Sequence, residues 1–374
     1  MGKRVLVINT VNTGFTGITG IMMNLVRGTC DRVQYDFVLC WHVEPSFLEE
    51  LEKLGDHVYR PPCSRFKQPM RYLSWLRGVM NSEKYDAVHA HGNSGTLFLE
   101  MWAAKKAGVP VRMAHSHSTS CRFKAAHYLL KPLLNRVMTR GIACSEAAGK
   151  CLFTENYTVL PNAIDAKQYA FSPEIRLRYR RNLGLENNFV IGHVGYMDTE
   201  KNHLFLLEVF REVLRERPEA RLLLVGDGRL RPEIEAYIAE NDMHEAVLLL
   251  GKRADTAQLY QCMDVCVLPS LFEGLPLTLV EAQAAGLPCM VSAAVSREAD
   301  VTGGMTFITL EKQQWVTALV GAKAATVEGR ITRNVHDLQK IKAAKYDIRE
   351  NAAEVLTLYG GDVYEDRERP EAVR

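Results

Sequence analysis

Residues 269–282 read Pro-Ser-Leu-Phe-Glu-Gly-Leu-Pro-Leu-Thr-Leu-Val-Glu-Ala and connect a short apolar run to the start of a helical pattern. Gly274 lets the backbone approach a ligand closely, and the N-terminus of the following helix offers unpaired N–H groups to an anion such as phosphate. Glu273 and Glu281 are separated by about two helical turns. Taken alone, this segment is also compatible with an ordinary strand-to-helix turn that carries two solvated glutamates.

Outward from this segment, short runs rich in Val, Ile and Leu alternate with helical patterns, as buried parallel strands do. A helix is predicted over residues 202–217. The chain has 374 residues, enough for two domains of the usual size of roughly 100–200 residues, so the fold class is a two-domain α/β protein. Strands are predicted near residues 4–9, 35–40, 57–60, 85–90, 111–115, 140–144, 158–160, 189–194, 221–225, 247–250, 265–268, 289–292 and 306–309.

The boundary between the domains is predicted at residues 160–165, Leu-Pro-Asn-Ala-Ile-Asp, which combine a helix breaker with turn formers. The alternation of strands and helices restarts after this segment. Residues 1–165 carry 20 Lys and Arg against 13 Asp and Glu, whereas the rest of the chain is slightly acidic. A basic first half suits an anionic surface or substrate.

Composition excludes several classes of protein. With 47% hydrophobic and 24% charged residues and no run of about 20 apolar residues, no membrane-spanning helix is expected. The nine cysteines form no CxxC pair or zinc-finger spacing, which indicates reduced thiols in a cytosol. No Gly-x-Gly-x-x-Gly and no Gly-x4-Gly-Lys occurs, so dinucleotide-binding and P-loop proteins are disfavoured.

Segment 269–282 resembles the Glu-x7-Glu signature of retaining glycosyltransferases with the GT-B fold, of the family-four type. That family includes bacterial capsule, exopolysaccharide and teichoic-acid enzymes. The resemblance implies two doubly wound Rossmann-like domains facing each other across a cleft, with residues 346–374 crossing back to the first domain, 1–165, and residues 166–345 binding the nucleotide sugar. It continues in order through residues 193–203, 224–228, 250–253 and 263–270, and more weakly through 17–19, 89–92, 115–117 and 159–165.

The resemblance places Glu281 on the ribose hydroxyls, Glu273 near the hydroxyls of the donor sugar, and Lys201 on the diphosphate. A cation there would stabilise the negative charge that grows on the leaving nucleotide. No Asp-x-Asp motif occurs, so neither a metal ion nor another cofactor is expected. The other donor-binding residues that the resemblance implies are Gly17, Gly195, Tyr196, Arg229, Lys252, Arg253, Gly274, Leu275, Pro276 and Leu277.

Two positions depart from the family pattern. Tyr196 stands where most relatives have an arginine that binds the diphosphate. Either Arg229 or another cation takes the place of that arginine, or the leaving nucleotide is stabilised less in this protein. Thr16 stands where relatives often have a second glycine before Gly17, and a threonine narrows the backbone freedom of that loop.

Two His-x-His motifs occur, at residues 89/91 and 115/117. Alternate residues of a strand share a face, so a metal site is one interpretation. We favour a second interpretation, in which His89 and His91 lie at a strand end and pack against the cleft wall, over a third in which they contact the substrates directly. The family has a histidine near residues 115–117 that approaches the reacting sugar, and we assign this role to His117 rather than His115.

Residues 121–140 form a basic amphipathic pattern that fits either an anionic membrane surface or a core-facing helix, and we favour peripheral membrane contact. The expected partners are a nucleotide sugar, which we expect to be UDP-linked, and a glycan or lipid-linked acceptor, with no nucleic acid. The expected location is the cytoplasm, at the inner face of its membrane. Two rival functions remain open: a nucleotide-sugar epimerase or hydrolase of the same fold, and a non-catalytic partner subunit.

Overall fold

A computed structural model describes residues 2–11, 17–41, 45–119, 121, 123–273 and 275–360. The strands lie where the apolar runs are, because a parallel sheet is covered on both faces and buries its strands throughout. Every residue of the strand Phe189–Val194 is buried, for example. All thirteen predicted strands are present, with ends displaced by at most two residues. The helix predicted over residues 202–217 spans His203–Glu216.

The chain divides into two compact units. The first contains the described residues up to Ala163 and from Ile348 onward, and the second contains Ile164–Asp347. The chain passes between the units at residues 163/164 and 347/348, each two residues from the corresponding predicted boundary. Among the described residues, no helix is both long enough and apolar enough to span a membrane.

The first unit contains a parallel sheet of seven strands. These are β1 Lys3–Asn9, β2 Val33–Leu39, β3 His57–Tyr59, β4 Ala87–His91, β5 Val111–Ser116, β6 Arg140–Ala143 and β7 Tyr157–Val159. Their order is β3-β2-β1-β4-β5-β6-β7, which reverses direction between β1 and β4. The helices are α1 Gly17–Thr29, α2 Pro45–Leu54, α3 Pro69–Ser82, α4 Phe98–Lys106, α5 Lys124–Val137 and α6 Glu146–Leu152, with a 3-10 turn at Gly95–Leu97.

The second unit contains a parallel sheet of six strands, which are β8 Phe189–Val194, β9 Ala220–Val225, β10 Val247–Gly251, β11 Val265–Leu268, β12 Cys289–Ser292 and β13 Met305–Ile308. Their order is β10-β9-β8-β11-β12-β13. The helices are α7 Ala166–Tyr169, α8 Pro173–Asn182, α9 His203–Glu216, α10 Arg231–Glu240, α11 Thr256–Cys262, α12 Leu277–Ala284, α13 Lys312–Gly321 and α14 Val327–Ala343, with 3-10 turns at Thr199–Lys201 and Arg297–Ala299. Both units are therefore doubly wound, as predicted.

The last helix, α15 Ile348–Leu358, belongs to the first unit and packs against α1. A Cβ added at Gly28 of α1 would lie 3.1 Å from the Cβ of Ala352, so the two helices approach closely where α1 has no side chain. The Asn351 amide donates to the Pro161 carbonyl at 2.5 Å. The predicted return of the last helix to the N-terminal half is confirmed.

Candidate functional site

Open α/β sheets bind ligands beyond the carboxyl ends of their strands, at the point where strand order reverses, which is called the switch point. In the second unit this point lies between β8 and β11. The loop after β8 carries Gly195 to Lys201, and the loop after β11 carries Ser270 and Glu273. The Leu271 N–H donates to the Glu200 carbonyl at 2.9 Å, which joins the two loops.

An ion pair connects these two loops. Lys201 Nζ lies 2.5 Å from Glu273 Oε1, and both side chains are less than a fifth exposed. The Ser270 hydroxyl donates to the same carboxylate oxygen at 3.1 Å. A backbone bridge between Glu273 and Val295 fixes the segment on its other side. The switch point therefore contains a largely buried lysine beside a carboxylate that can accept hydrogen bonds from hydroxyls.

Two glycines allow the loops at this point to pack closely. Gly226 has a φ of 138°, and a Cβ there would overlap the carbonyl oxygen of Gly195. At Gly195, a Cβ would lie 3.3 Å from both His193 Nε2 and Lys201 Cε. A larger residue at Gly226 would displace the backbone at Gly195, and one at Gly195 would push on the side chains of His193 and Lys201.

Tyr196 and Lys252 lie at a cavity of about 250 Å³ that is also lined by Asp227 and Gly228. Tyr196 is 55% exposed. The position where the family pattern has an arginine thus contributes an aromatic ring, and no positive charge, to this surface.

Two arginines predicted to help bind the donor are already engaged by carboxylates. Arg229 donates to Asp198 Oδ1 and to the Thr199 hydroxyl, each at 2.8 Å, and its side chain is 63% exposed. Arg253 makes two bonds to Asp255, at 2.7 and 2.6 Å. Asp198 and Asp255 thus offset part of the positive charge of these two arginines, as Glu273 does for Lys201, and the feature that distinguishes Lys201 is its place at the switch point.

Glu281 lies on α12, in the second turn after the loop of Glu273. Its Oε2 accepts a hydrogen bond from the Tyr260 hydroxyl at 3.0 Å, and the Tyr169 hydroxyl is a second donor. Burial raises the pKa of the Glu281 carboxyl, and the two tyrosine hydroxyls oppose that rise. The carboxylate is thus held in one orientation by neutral donors, with lone pairs left for further hydroxyls.

The start of α12 is only partly described, because Gly274 lies outside the described residues. The helix begins at Leu277, and Pro276 precedes it in extended conformation. Proline has no N–H, so any backbone donors at this helix start belong to Leu277 and the residues after it. Leu275 packs against the core of the second unit, which anchors the turn.

Four buried histidines lie at the carboxyl ends of β4 and β5 in the first unit. Their rings pair across the strands: His89 Nε2 lies 3.2 Å from His115 Nδ1, and His91 Nδ1 lies 2.9 Å from His117 Nε2. The pairs also stack, with ring centroids 4.2 Å apart for His89 and His91 and 4.0 Å apart for His115 and His117. We call these four residues the histidine array.

The array is electrically neutral near pH 7. Burial lowers the pKa of His89 to about 3 and that of His117 to about 4, and it holds the pKa values of His91 and His115 well below the usual range. A neutral imidazole has one N–H donor and one lone pair. Each ring can therefore donate one hydrogen bond and accept one, but it cannot donate two.

His117 is the array member with the most solvent exposure, 7% against 1% for His115. Its Nδ1 lies 3.3 Å from Asn162 Oδ1, and its backbone N–H donates to Asn93 Oδ1 at 2.9 Å. These contacts fix the ring at the end of β5. They are compatible with the predicted role of His117 near a reacting group, which stays a prediction.

Gly17, which the resemblance assigned to donor binding, is the first residue of α1. The departure at Thr16 lies outside the described residues. Tyr359 was not predicted as a polar partner at all, yet its hydroxyl lies 2.7 Å from His89 Nδ1 across 270 residues of sequence. No pattern within a single sequence connects residues so far apart.

Comparison with known proteins agrees with this architecture. A family model described as glycosyl transferases group 1 matches residues 188–325, and a glycosyl transferase 4-like domain matches residues 16–149. The putative glycosyltransferase EpsF of Bacillus subtilis is 34% identical over 98% of this chain and 99% of its own length. The chain is a GT-B glycosyltransferase. Its two matched segments fall in the two units, one in each.

Two further similarities are to a bacterial enzyme and to a solved structure. An Escherichia coli enzyme named UDP-Gal:alpha-D-GlcNAc-diphosphoundecaprenol alpha-1,3-galactosyltransferase is 34% identical over 60% of this chain and 62% of its own. HepE of Anabaena, solved in complex with UDP and glucose, superposes with a TM-score of 0.75 at 22% identity, covering 94% of this chain and 99% of HepE. The second similarity establishes the fold and leaves the substrate open.

Proposed function

We propose that this glycosyltransferase transfers a hexose-type sugar from a UDP-linked donor to a glycan or lipid-linked acceptor, with retention at the anomeric carbon. The observation that carries the proposal is the cluster of Lys201, Glu273 and Ser270 at the switch point of the second unit. A relative named for UDP-galactose transfer supports a UDP-linked donor. The similarity to EpsF and to a Vi polysaccharide biosynthesis protein of Salmonella typhi supports a role in polysaccharide synthesis.

In the proposed reaction, the bond between the anomeric carbon and the diphosphate oxygen breaks, and a bond to the acceptor oxygen forms on the same face. The acceptor's proton passes to the leaving phosphate oxygen, so no dedicated protein base is required. Lys201 stabilises the charge on the diphosphate, Glu273 accepts hydrogen bonds from sugar hydroxyls, and Glu281 accepts them from the ribose. Preorganised charges of this kind commonly supply the largest share of catalysis.

We also propose that no divalent cation is needed on the donor diphosphate. The chain has no Asp-x-Asp motif, and Lys201 is positioned to meet the phosphate charge directly. Turnover should therefore be unchanged when a chelator replaces magnesium or manganese in the assay.

The first experiment is a screen of nucleotide sugars for thermal stabilisation of the protein, followed by an assay of UDP release with and without glycan or lipid-linked acceptors. Transfer predicts UDP release that depends on the acceptor. Donor turnover without an acceptor would instead indicate an epimerase or hydrolase, and binding without turnover would indicate a partner subunit. The anomeric configuration of the product, read by NMR, tests retention.

Glu281→Ala is expected to weaken UDP binding by about 1.5–3 kcal/mol, the contribution of hydrogen bonds to a charged group. The loss should appear in the dissociation constant measured by calorimetry, because the carboxylate is assigned to the nucleotide and not to the sugar. Glu281→Gln keeps one acceptor oxygen for the tyrosines and should lose less affinity.

Glu245→Ala is the matched control, since Glu245 is an exposed glutamate of the same unit, outside the switch-point loops. It should bind UDP like the wild type. Unchanged UDP affinity in a folded Glu281→Ala variant would show that the ribose assignment is wrong.

We propose that the first unit contacts an anionic membrane through the outer face of α5. Tyr128 and Leu129 are 70% and 74% exposed, and Phe123, just before the helix, is 49% exposed. Lys124 and Arg136 are exposed on the same helix. Apolar side chains flanked by cations are typical of helices that lie in a membrane interface. Lys131, by contrast, donates to the carbonyls of Lys150 and Cys151 and serves the fold.

Serine at both Tyr128 and Leu129 is expected to reduce binding to vesicles of phosphatidylethanolamine and phosphatidylglycerol by more than tenfold. The reason is that a fully buried apolar side chain contributes about 1.5–3 kcal/mol. Co-sedimentation measures the bound fraction. Leu177→Ser, which changes a leucine 56% exposed in the second unit, is the control and should bind normally. Equal binding of all three proteins would exclude this face of α5 as the membrane contact.

A further inference from the structure

Strands β8 and β11 separate at the switch point of the second unit, and the His193 side chain connects them there. The paired register of the two strands ends at Gly192 and Cys266. One residue further along, His193 Nδ1 lies 2.9 Å from the carbonyl oxygen of Val267. A carbonyl can only accept a hydrogen bond, so Nδ1 carries a proton and the ring is fixed against β11.

The other ring nitrogen, His193 Nε2, faces the loop that carries Lys201. A Cβ added at Gly195 would lie 3.3 Å from His193 Nε2, 3.3 Å from Lys201 Cε and 3.4 Å from Lys201 Cδ. The nitrogen and the end of the lysine side chain therefore border the same position, which is open because residue 195 has no side chain. His193 Nε2 is buried and has no hydrogen-bond partner among the described residues. A second proton on the ring would place a buried cation beside the Lys201 ammonium, so Nε2 keeps its lone pair.

A second buried histidine, His203, packs against His193. It is the first residue of α9 and follows Asn202, whose left-handed backbone conformation (φ 58°) ends the 3-10 turn at Thr199–Lys201. The two imidazole rings meet edge to face, with centroids 4.5 Å apart. Both ring nitrogens of His203 are buried and lack a hydrogen-bond partner within the described part of the chain. His203 therefore restricts the orientations that the His193 ring can take.

Packing alone does not explain two imidazoles at this place. A buried polar group without a partner is costly, whereas a phenylalanine or leucine would fill the space without that cost. The donor that the loop brings to His193 Nε2 is the ammonium of Lys201. An ammonium has three N–H groups, and in this structure the Lys201 ammonium is paired with Glu273 Oε1 at 2.5 Å.

Lys201 and Glu273 have to act on different groups when the donor is bound. In the proposed function, Glu273 accepts hydrogen bonds from sugar hydroxyls and Lys201 meets the diphosphate, yet here the two side chains are paired with each other. We propose that His193 is a positioning residue for Lys201: its Nε2 accepts a hydrogen bond from the ammonium when the lysine turns from Glu273 to the diphosphate, and His203 holds the ring for this contact. The inference rests on the proposed function of the Lys201 site. The contact keeps the lysine charge where negative charge develops on the leaving nucleotide.

The test is a double-mutant cycle between His193 and Lys201. It is measured by the rate of sugar transfer at saturating donor and by the dissociation constant of inorganic pyrophosphate, a probe for the phosphate contact alone. His193→Phe keeps a ring and removes both nitrogens, and it should lower the rate and the pyrophosphate affinity about tenfold, as expected for a lost hydrogen bond to a charged group. His193→Gln keeps one donor and one acceptor and should recover most of both. In the Lys201→Ala background, His193→Phe should cause no further loss, because the hydrogen bond is already absent.

Gly195→Ala tests the same contact from the loop. Its methyl group would lie 3.3 Å from both His193 Nε2 and Lys201 Cε, so it should hinder their approach and reproduce the losses of His193→Phe. His244→Phe, which changes an exposed histidine of the second unit, is the matched control and should leave both measurements unchanged. Thermal unfolding shows whether each variant is folded, so that a lost contact is not confused with a lost structure.

Additive losses in the His193→Phe and Lys201→Ala double variant would overturn the inference, because they would show that the ring serves the fold independently of the lysine. Wild-type rate and pyrophosphate affinity in a folded His193→Phe variant would overturn it as well. Coupling in pyrophosphate affinity without any transfer from UDP-linked sugars would support the His193 contact and contradict the proposed function. Transfer without coupling would do the reverse.

Discussion

Lys201→Ala should lower turnover by on the order of a hundredfold to a thousandfold, the range seen when one preorganised stabilising group is removed. Lys201 is the cation held at the switch point, 2.5 Å from Glu273, while Arg229 and Arg253 are engaged by Asp198 and Asp255. In the proposed donor complex, its removal also leaves the Glu273 carboxylate without a balancing charge beside the phosphates. The measurement is the rate of sugar transfer at saturating donor.

Tyr196→Arg should partly restore transfer in the Lys201→Ala background. Arginine after Gly195 recreates the family pattern, and its planar guanidinium can meet phosphate oxygens through two hydrogen bonds. The kinetic cycle contains the wild type, both single variants and the double variant, with Arg229→Ala as the rival cation. Lys312→Ala, a half-exposed lysine near Glu208 in the same unit, is the control for loss of a positive charge.

Two outcomes would contradict the assignment of Lys201. Full activity of Lys201→Ala would show that another cation holds the diphosphate, and a large loss in Arg229→Ala would identify that cation. Absence of rescue in the double variant would mean that the loop from Gly195 to Lys201 does not lie against the phosphates.

His117→Ala should lower turnover on the order of a hundredfold while UDP affinity changes little. The residue is assigned to the reacting sugar, and one preorganised group at the reacting centre has an effect of this size. His117 is also the array member with the most solvent exposure, so its ring is the most accessible of the four. Turnover at saturating donor and UDP affinity by calorimetry are the two measurements.

His115→Ala is the matched variant and should reduce turnover less, since its ring is buried and bonded to His89. A larger effect of His115→Ala would show that His115, and not His117, is the residue that approaches the reacting sugar. A loss of UDP affinity in His117→Ala would remove the distinction between a sugar contact and a nucleotide contact.

The sequence by itself determined the class of fold and the order of its elements. Runs such as Phe189–Val194 and Val265–Leu268 could be predicted as buried strands, because a continuous apolar run is a local feature of the sequence and can be recognised without knowing which strands pair. The resemblance to GT-B enzymes assigned Lys201 and Glu273 to one donor site, and in the structure their side chains meet across 72 residues. Those predictions depended on motif order, which a single sequence displays.

Tertiary structure alone decided which polar groups face one another. Arg229 follows Gly226-Asp227-Gly228 and was expected from sequence to help bind the donor, yet in the structure its side chain donates a hydrogen bond to Asp198. The array forms because β4 and β5 are neighbours whose register sets His91 beside His115. Tyr359 reaches His89 because α15 returns to α1. Side-chain partners depend on strand register and helix docking, which are set by packing over the whole unit and leave no periodic trace in the chain.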